Sequence, residues 1–196
     1  NKTGIRIQAT HVVTKNNYDK LFLVVKYLVE KLRMEIVDSA IDLFVDWNKK
    51  ELDFIADEWK KIIKYIKHRN NIGIPFIWGP LIDMYQYKDG CKSCGIGLVR
   101  IYVRTDGEIY GCAANLNESG YLGDVQCGFS KKKIQECRKN FFTNDVCAKC
   151  SINEHCLTKL CIMNYEQNEE GEKVPNTVMC YLEKKKQQLW SEFYSK

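Results

Sequence analysis

The chain has 196 residues, of which 45% are hydrophobic and 28% are charged, and its net charge at pH 7 is +5. This length and apolar content permit a sizeable core and exclude a disordered or collagen-like chain. No apolar run approaches the roughly 20 residues of a membrane-spanning helix, so we expect a soluble, cytoplasmic protein with no membrane partner. The small basic excess is not interleaved with aromatic residues, and we expect no nucleic-acid partner. The chain starts at Asn1 without a Met or a signal peptide, and we expect it to be part of a larger protein.

The first 80 residues predict alternating strands and helices. One short segment alternates strictly between apolar and polar residues, two others contain short apolar runs, and two longer segments repeat apolar residues at helical spacing. The two predicted apolar stripes consist of Leu21, Val24, Val25, Leu28 and Leu32, and of Leu52, Ile55, Trp59, Ile62, Ile63 and Ile66. The predicted elements are a strand over 4–10, a helix over 18–33, a strand within 34–44, a helix over 48–68 and a strand over 72–78. This order predicts parallel strands covered by helices.

The first predicted strand has one apolar and one polar face. In an open sheet covered on both sides, both faces of a strand would be apolar. A polar face therefore indicates either a barrel wall around a polar interior or an exposed edge strand. The candidates for a polar interior are Arg6, Gln8 and Thr10, together with Glu35, Asp38 and Ser39 of the second strand. His11 is expected in the loop after the first strand.

The composition changes at Cys91, because all ten cysteines lie at or after this residue and helical periodicity stops there. Thr105-Asp106-Gly107 is a strong signal for a tight hairpin turn. The expected elements are strands over 98–104 and 108–112, a loop after the second strand, and helices over 130–140 and 177–194. We therefore expect two domains, residues 1–84 and 85–196, with α/β architecture followed by α+β architecture.

The cysteine spacing predicts metal or cluster chemistry. Cys91/Cys94 and Cys147/Cys150 are Cys-x2-Cys pairs, which place two sulfurs on one tight loop. Four further cysteines extend the pattern: Cys112, Cys156, Cys161 and Cys180. Eight thiols in this order fit two four-sulfur sites better than one zinc ribbon. Thiolate ligation suits zinc or [4Fe–4S] clusters, and the spacing does not decide between them. A secreted disulfide scaffold is disfavoured because the chain is long enough to have a core.

The pattern Gly107-x4-Cys112, followed by Cys-x2-Cys-x5-Cys-x4-Cys and a final cysteine, resembles the SPASM domain. This domain is the C-terminal extension of radical S-adenosylmethionine (SAM) enzymes that mature peptides and proteins. The resemblance implies two auxiliary [4Fe–4S] clusters. Their ligands would be Cys91, Cys94, Cys112 and Cys161 for the first cluster, and Cys147, Cys150, Cys156 and Cys180 for the second. The pattern departs from the family in the spacings of Cys91/Cys94 and Cys156/Cys161, while Cys127 and Cys137 match no motif position.

The first half resembles the C-terminal part of the partial (β/α)6 barrel of the same family. The resemblance implies that the six polar candidates bind SAM, whose carboxylate, amine and hydroxyls need polar partners. In the family, a third [4Fe–4S] cluster on a Cys-x3-Cys-x2-Cys motif converts SAM to a radical that takes hydrogen from a peptide. That motif does not occur in the 196 residues. The chain alone is therefore expected to be inactive, and to need the missing barrel half and a reductant such as flavodoxin or ferredoxin.

The substrate class is indicated by one residue. Sulfatase maturases of the family place an Asp directly after the Gly-x4-Cys cysteine, where this chain has Ala113. This difference favours a ribosomally made peptide as the substrate.

Two other functions stay open: a non-catalytic zinc-binding module that binds a peptide, and a ferredoxin-like electron carrier, which would leave the barrel-like first half without a role.

Overall fold

The structure is a computed structural model that describes residues 7–81, 97, 100–139, 145–156, 158, 161, 165–167 and 169–194. The chain divides into two compact units, Asn1–Asp89 with Tyr181–Lys196, and Gly90–Cys180. Helices and strands occur in both units, which confirms the expected mixed α/β class. Within the described ranges, no helix is both long and apolar enough to cross a membrane.

The first unit contains a three-stranded parallel sheet and two helices from the first part of the chain. Its elements are β1 (Gln8–Val13), α1 (Leu21–Glu30), β2 (Ile36–Ile41), α2 (Lys49–Asn71) and β3 (Ile77–Trp78). The strand order is β1-β2-β3, with Thr10 opposite Asp38 and Val37 opposite Trp78. The predicted alternation of strands and helices is confirmed.

The strand boundaries differ from the predicted ones. β1 continues to Val13 because its backbone stays in register with β2 as far as Ile41. His11 therefore lies within the strand, and our expectation of a loop position was wrong. β3 is shorter than predicted, because Gly73 at φ +71 forms a turn that ends α2 and leaves Ile74 exposed.

The two helices bury apolar stripes. All six residues predicted for the second stripe are buried: Leu52, Ile55, Trp59, Ile62, Ile63 and Ile66. α1 buries Leu21, Val25 and Val29. Leu32, which we expected in the same stripe, is exposed because α1 ends at Glu30.

A capping box starts α2. The Asn48 side chain accepts a hydrogen bond from the Glu51 N–H at 3.1 Å, and the Glu51 carboxylate accepts one from the Asn48 N–H at 2.9 Å. Asn48→Ala removes the first of these bonds, so we expect the free energy of unfolding to fall by about 1 kcal/mol. Urea unfolding followed by circular dichroism measures this change. The matched control is Asn16→Ala at an exposed turn, and an equal loss there would contradict the role of the cap.

The second unit contains a four-stranded antiparallel sheet, three shorter elements and a separate hairpin. In chain order these are β4 (Tyr102–Val103), β5 (Glu108–Tyr110), β6 (Tyr121–Asp124), β7 (Gly128–Phe129), α3 (Lys131–Lys139), α4 (Asp145–Ala148), a 3₁₀ turn (Asn153–His155), β8 (Tyr165–Gln167) and β9 (Lys173–Pro175). The larger sheet has the order β4-β5-β6-β7. Its core consists of Ile109, Leu122 and Ile134, with Cys112 packed against them.

Half of this sheet was not predicted from the sequence. The segment expected to be a loop contains β6 and β7, and only the hairpin of β4 and β5 was predicted. Gly120 and Gly123 lie in the segment expected to be this loop. In the structure, Gly123 instead allows two backbones to approach, since a Cβ there would lie 2.1 Å from the Gly128 carbonyl oxygen.

The final helix, α5 (Thr177–Tyr194), is confirmed with its predicted bounds. Its start is capped by Asn176, whose side chain accepts a hydrogen bond from the Met179 N–H at 2.9 Å. From Tyr181 onward the helix belongs to the first unit, where Tyr181 donates to Asp53 of α2. Lys67 of α2 likewise donates to the Phe193 carbonyl.

Candidate cofactor sites

One face of the parallel sheet is buried and the other is open. Along β1 and β2, the alternation of side chains puts Val13 and Val37 on the buried face. Gln8 and Thr10 are exposed on the opposite face, and Asp38 is half-buried beside Thr10. Three of the predicted SAM-binding residues therefore share the open face.

The carboxylate of Asp38 has a defined position. Its Oδ1 accepts a hydrogen bond from the Ser39 N–H at 2.8 Å. A Cβ at Gly79 would lie 2.3 Å from the same oxygen, so the carboxylate packs against the backbone just beyond β3. Ligands of parallel α/β folds bind at the carboxyl ends of the strands. Asp38 is the third of the six residues of β2, and it lies level with the carboxyl end of the shorter strand β3, where its carboxylate can contact a polar ligand.

The other three predicted SAM-binding residues are placed differently. We expected Ser39 beside Asp38, but consecutive strand residues point to opposite faces. Ser39 is buried and its Oγ accepts a hydrogen bond from Nε1 of Trp78 at 3.1 Å, so its place in the polar interior is corrected. Glu35 is exposed just before β2. Arg6 lies outside the described residues.

Two residues near this sheet were not among the six predicted SAM-binding residues. Gly79 supports the Asp38 carboxylate, and the signal in the sequence was the Trp-Gly-Pro segment at a strand end. His11 lies opposite Ser39 in the sheet, and its buried Nδ1 has no hydrogen-bond partner within the described ranges. Burial lowers the pKa of His11, which favours its neutral form.

Six of the eight predicted cluster ligands have described side chains. None of them is in a disulfide bond: Cys112, Cys147, Cys150, Cys156, Cys161 and Cys180. The Cys147/Cys150 pair forms a tight turn, with the Cys150 N–H donating to the Cys147 carbonyl at 3.1 Å. Cys91 and Cys94 lie outside the described residues.

Cys112 follows β5, and two contacts hold its side chain in place. It packs against the core of the antiparallel sheet, and its Sγ accepts a hydrogen bond from the Ala114 N–H at 3.4 Å. In iron–sulfur proteins, hydrogen bonds to a ligating sulfur tune the reduction potential of the cluster. The exposed Cys127 lies in the turn after β6, and its N–H donates to Asp124 at 2.8 Å.

Four motif cysteines from separate segments of the second unit are near enough to Tyr165 of β8 to act electrostatically on its phenol. Burial raises the pKa of this phenol to about 12, and the charge of neighbouring thiols adds to the effect. These thiols belong to Cys147, Cys156, Cys161 and Cys180. Tyr165 was not predicted as a site residue, because a single aromatic residue between Cys161 and Cys180 matches no known motif.

The donor chemistry of these thiols suits a soft metal or an iron–sulfur cluster. Cys156 is buried, and its sulfur lies 3.1 Å from Oγ1 of Thr158. In the part of the chain that the structure describes, no group of three His, Cys, Asp or Glu side chains is close enough to hold a metal ion. The described thiols therefore do not form a closed ligand set.

Comparison with known proteins identifies the fold. No protein-family model and no curated protein sequence matches the chain. The fold is similar to native anSMEcpe with bound AdoMet, with a TM-score of 0.70 and 17% identity over 97% of this chain and 56% of that one. A hexahistidine-tagged anSMEcpe with bound AdoMet gives a TM-score of 0.69 and 18% identity over 97% and 54%.

Native anSMEcpe with bound AdoMet and Cp18Cys peptide gives a TM-score of 0.70 and 17% identity, and the chain covers 56% of it. The chain thus spans about half the length of these solved structures. anSMEcpe is a radical SAM anaerobic sulfatase-maturating enzyme with a SPASM domain. The resemblance that the cysteine spacing indicated is therefore confirmed at the level of the fold.

Proposed function

We propose that the chain is the C-terminal portion of a radical SAM maturase that modifies a peptide. Residues 1–84 would complete a partial (β/α)6 barrel, and residues 85–196 would form a SPASM domain with two auxiliary [4Fe–4S] clusters. The observation that carries the proposal is the eight-cysteine motif, in a chain whose fold is similar to AdoMet-bound anSMEcpe.

The open face of the parallel sheet would bind SAM. Asp38 would accept hydrogen bonds from the amine or the ribose hydroxyls, since its carboxylate is held in place by Ser39 and Gly79. The exposed Gln8 and Thr10 would supply further polar contacts. SAM and a third cluster, bound by the other barrel half, would supply the chemistry that removes a hydrogen atom from the substrate.

The second unit would hold its clusters through deprotonated thiols. Tyr165 lies beside Cys161, assigned to the first cluster, and beside Cys147, Cys156 and Cys180, assigned to the second. Metal binding and folding are coupled at thiolate sites, so we expect the ligand set to close when the clusters are loaded. The clusters would accept an electron from the substrate or hold the peptide, and a reductant such as flavodoxin or ferredoxin would complete the reaction.

The substrate would be a ribosomally made peptide. Peptides are bound in two of the similar solved structures, Cp18Cys and Kp18Cys with anSMEcpe. The exposed Ala113 directly follows Cys112, so this chain has no carboxylate at the position where sulfatase maturases have an Asp. We therefore propose a peptide other than a sulfatase segment, modified in the cytoplasm.

The test is the metal content of the chain. After purification and reconstitution without oxygen, we expect about eight iron atoms and eight sulfides per chain, with broad absorbance in the visible range. About four iron atoms would support one cluster and contradict the second. Stoichiometric zinc without sulfide, persisting after iron reconstitution, would overturn the proposal in favour of a structural zinc module.

A further inference from the structure

The second unit contains a groove of about 490 Å³ that the proposed function does not use. Both edge strands of the antiparallel sheet contribute to it, through Arg100 and Ile101 next to β4 and through Phe129 of β7. α3 supplies Lys131 and Ile134. The volume lies within the range of ordinary ligand pockets, roughly 300–1,000 Å³, and would take two or three side chains.

The floor and walls of the groove are apolar. Ile134 is only 7% exposed and forms the floor, where it packs against Gly97. Ile101 and Phe129, in contrast, expose 46% and 48% of their surface. Two large apolar side chains that remain open to solvent in one concave site are typical of a binding surface.

The border of the groove is cationic. Arg100 and Lys131 line it from different elements, and Gln135 adds a neutral amide. No acidic side chain lines the groove among the residues that the structure describes. The neighbouring Lys132 does not line the groove. Its side chain is 85% exposed, and its Nζ lies 3.9 Å from Oε1 of Glu136.

We propose that this groove binds an acidic peptide segment that carries apolar side chains. The apolar side chains would enter between Ile101 and Phe129, and flanking carboxylates would pair with Arg100 and Lys131. An extended peptide also suits the edge strand β7, since edge strands offer unpaired backbone groups. The inference goes beyond the proposed function, because it uses neither SAM nor a cluster.

The first experiment measures binding of a fluorescein-labelled peptide, Gly-Glu-Glu-Leu-Phe-Glu-Glu-Gly, to the full chain by fluorescence anisotropy. We expect saturable binding with a Kd of about 100 µM or lower. A peptide with Lys in place of Glu is expected to bind at least ~tenfold more weakly, and one with Ser in place of Leu and Phe at least ~fivefold more weakly. Equal binding of all three peptides, or no saturation at millimolar peptide, would overturn the proposal.

Variants then locate the site. Lys131→Glu and Phe129→Ser change exposed groove residues, and each is expected to raise the Kd about fivefold to tenfold. Lys132→Glu is the matched control, because it makes the same charge change on the same helix outside the groove and should alter the Kd less than ~twofold. An equal effect of both charge reversals would contradict the groove as the site.

A second probe, labelled oligo(dT), tests for nucleic acid. If oligo(dT) binds more tightly than the acidic peptide, and Lys131→Glu abolishes this binding, the proposal is overturned and the groove is assigned to nucleic acid.

Discussion

Cys147→Ala is expected to lower the iron content of the reconstituted chain to roughly half, from about eight to about four atoms. The thiol of Cys147 belongs to the Cys-x2-Cys turn of α4 and lies among the thiols around Tyr165. In the proposed assignment, Cys147 is one of four thiolates of the second cluster, whose loss would make that cluster labile, while the first cluster would keep its full set. Iron and sulfide assays after anaerobic desalting measure the loss.

Cys127→Ala is the matched control for this variant. Cys127 is an exposed thiol of the same unit that matches no position of the motif. Asp124 accepts a hydrogen bond from the Cys127 backbone N–H, which the substitution preserves, and a lesser one from the thiol, which it removes. We therefore expect full iron content in this variant. Unchanged iron in Cys147→Ala, or an equal loss in both variants, would refute the ligand assignment.

Gly123→Ala is expected to destabilise the second unit by about 3 kcal/mol or more. The new Cβ would lie 2.1 Å from the carbonyl oxygen of Gly128 and 2.9 Å from Cα of Phe129. Both atoms are backbone, so relief requires β6 and β7 to separate. Next to Gly123, Leu122 is almost fully buried in the sheet core, and separation would expose it. Thermal unfolding followed by near-ultraviolet circular dichroism measures the loss.

Gly128→Ala separates the steric effect from backbone strain. Gly128 also has a positive φ, +77, but a Cβ there would meet nothing within 4 Å. We therefore expect Gly128→Ala to lower the free energy of unfolding by only about 1 kcal/mol, the cost of holding alanine in the left-handed conformation. A loss in Gly123→Ala no larger than this would show that the two backbones do not approach as closely as the structure indicates.

The helices could be predicted because their signals are local. The apolar stripe of α2 and its capping residue Asn48 lie within one stretch of sequence, as do the bounds of α5. β6 and β7 lack such a signal. They are short and contain glycines, and their strand character comes from pairing with each other and with β5 rather than from their own side chains.

The candidate sites were predictable in their residue types more than in their geometry. The alternation of the first strand predicted that Gln8 and Thr10 share a face, which β1 confirms. That the cysteines hold clusters and that these polar residues bind SAM stays a prediction. The assignment of Ser39 failed because a polar residue next to Asp38 was counted without regard to strand alternation. Tyr165 was not predictable, since its place among the thiols depends on a hairpin between distant cysteines.

The contact of α5 with α2 determines when the first unit can finish folding during translation. Asp53 receives its hydrogen bond from Tyr181, 128 residues later in the chain. Domains usually fold as they leave the ribosome, N-terminal parts first. Here the first unit cannot be completed until residues 181–194 have been translated, and by then every cysteine of the chain has already been made. The thiols are thus available to bind metal before residues 181–194 of α5 have been translated and have covered the face of α2 that carries Asp53.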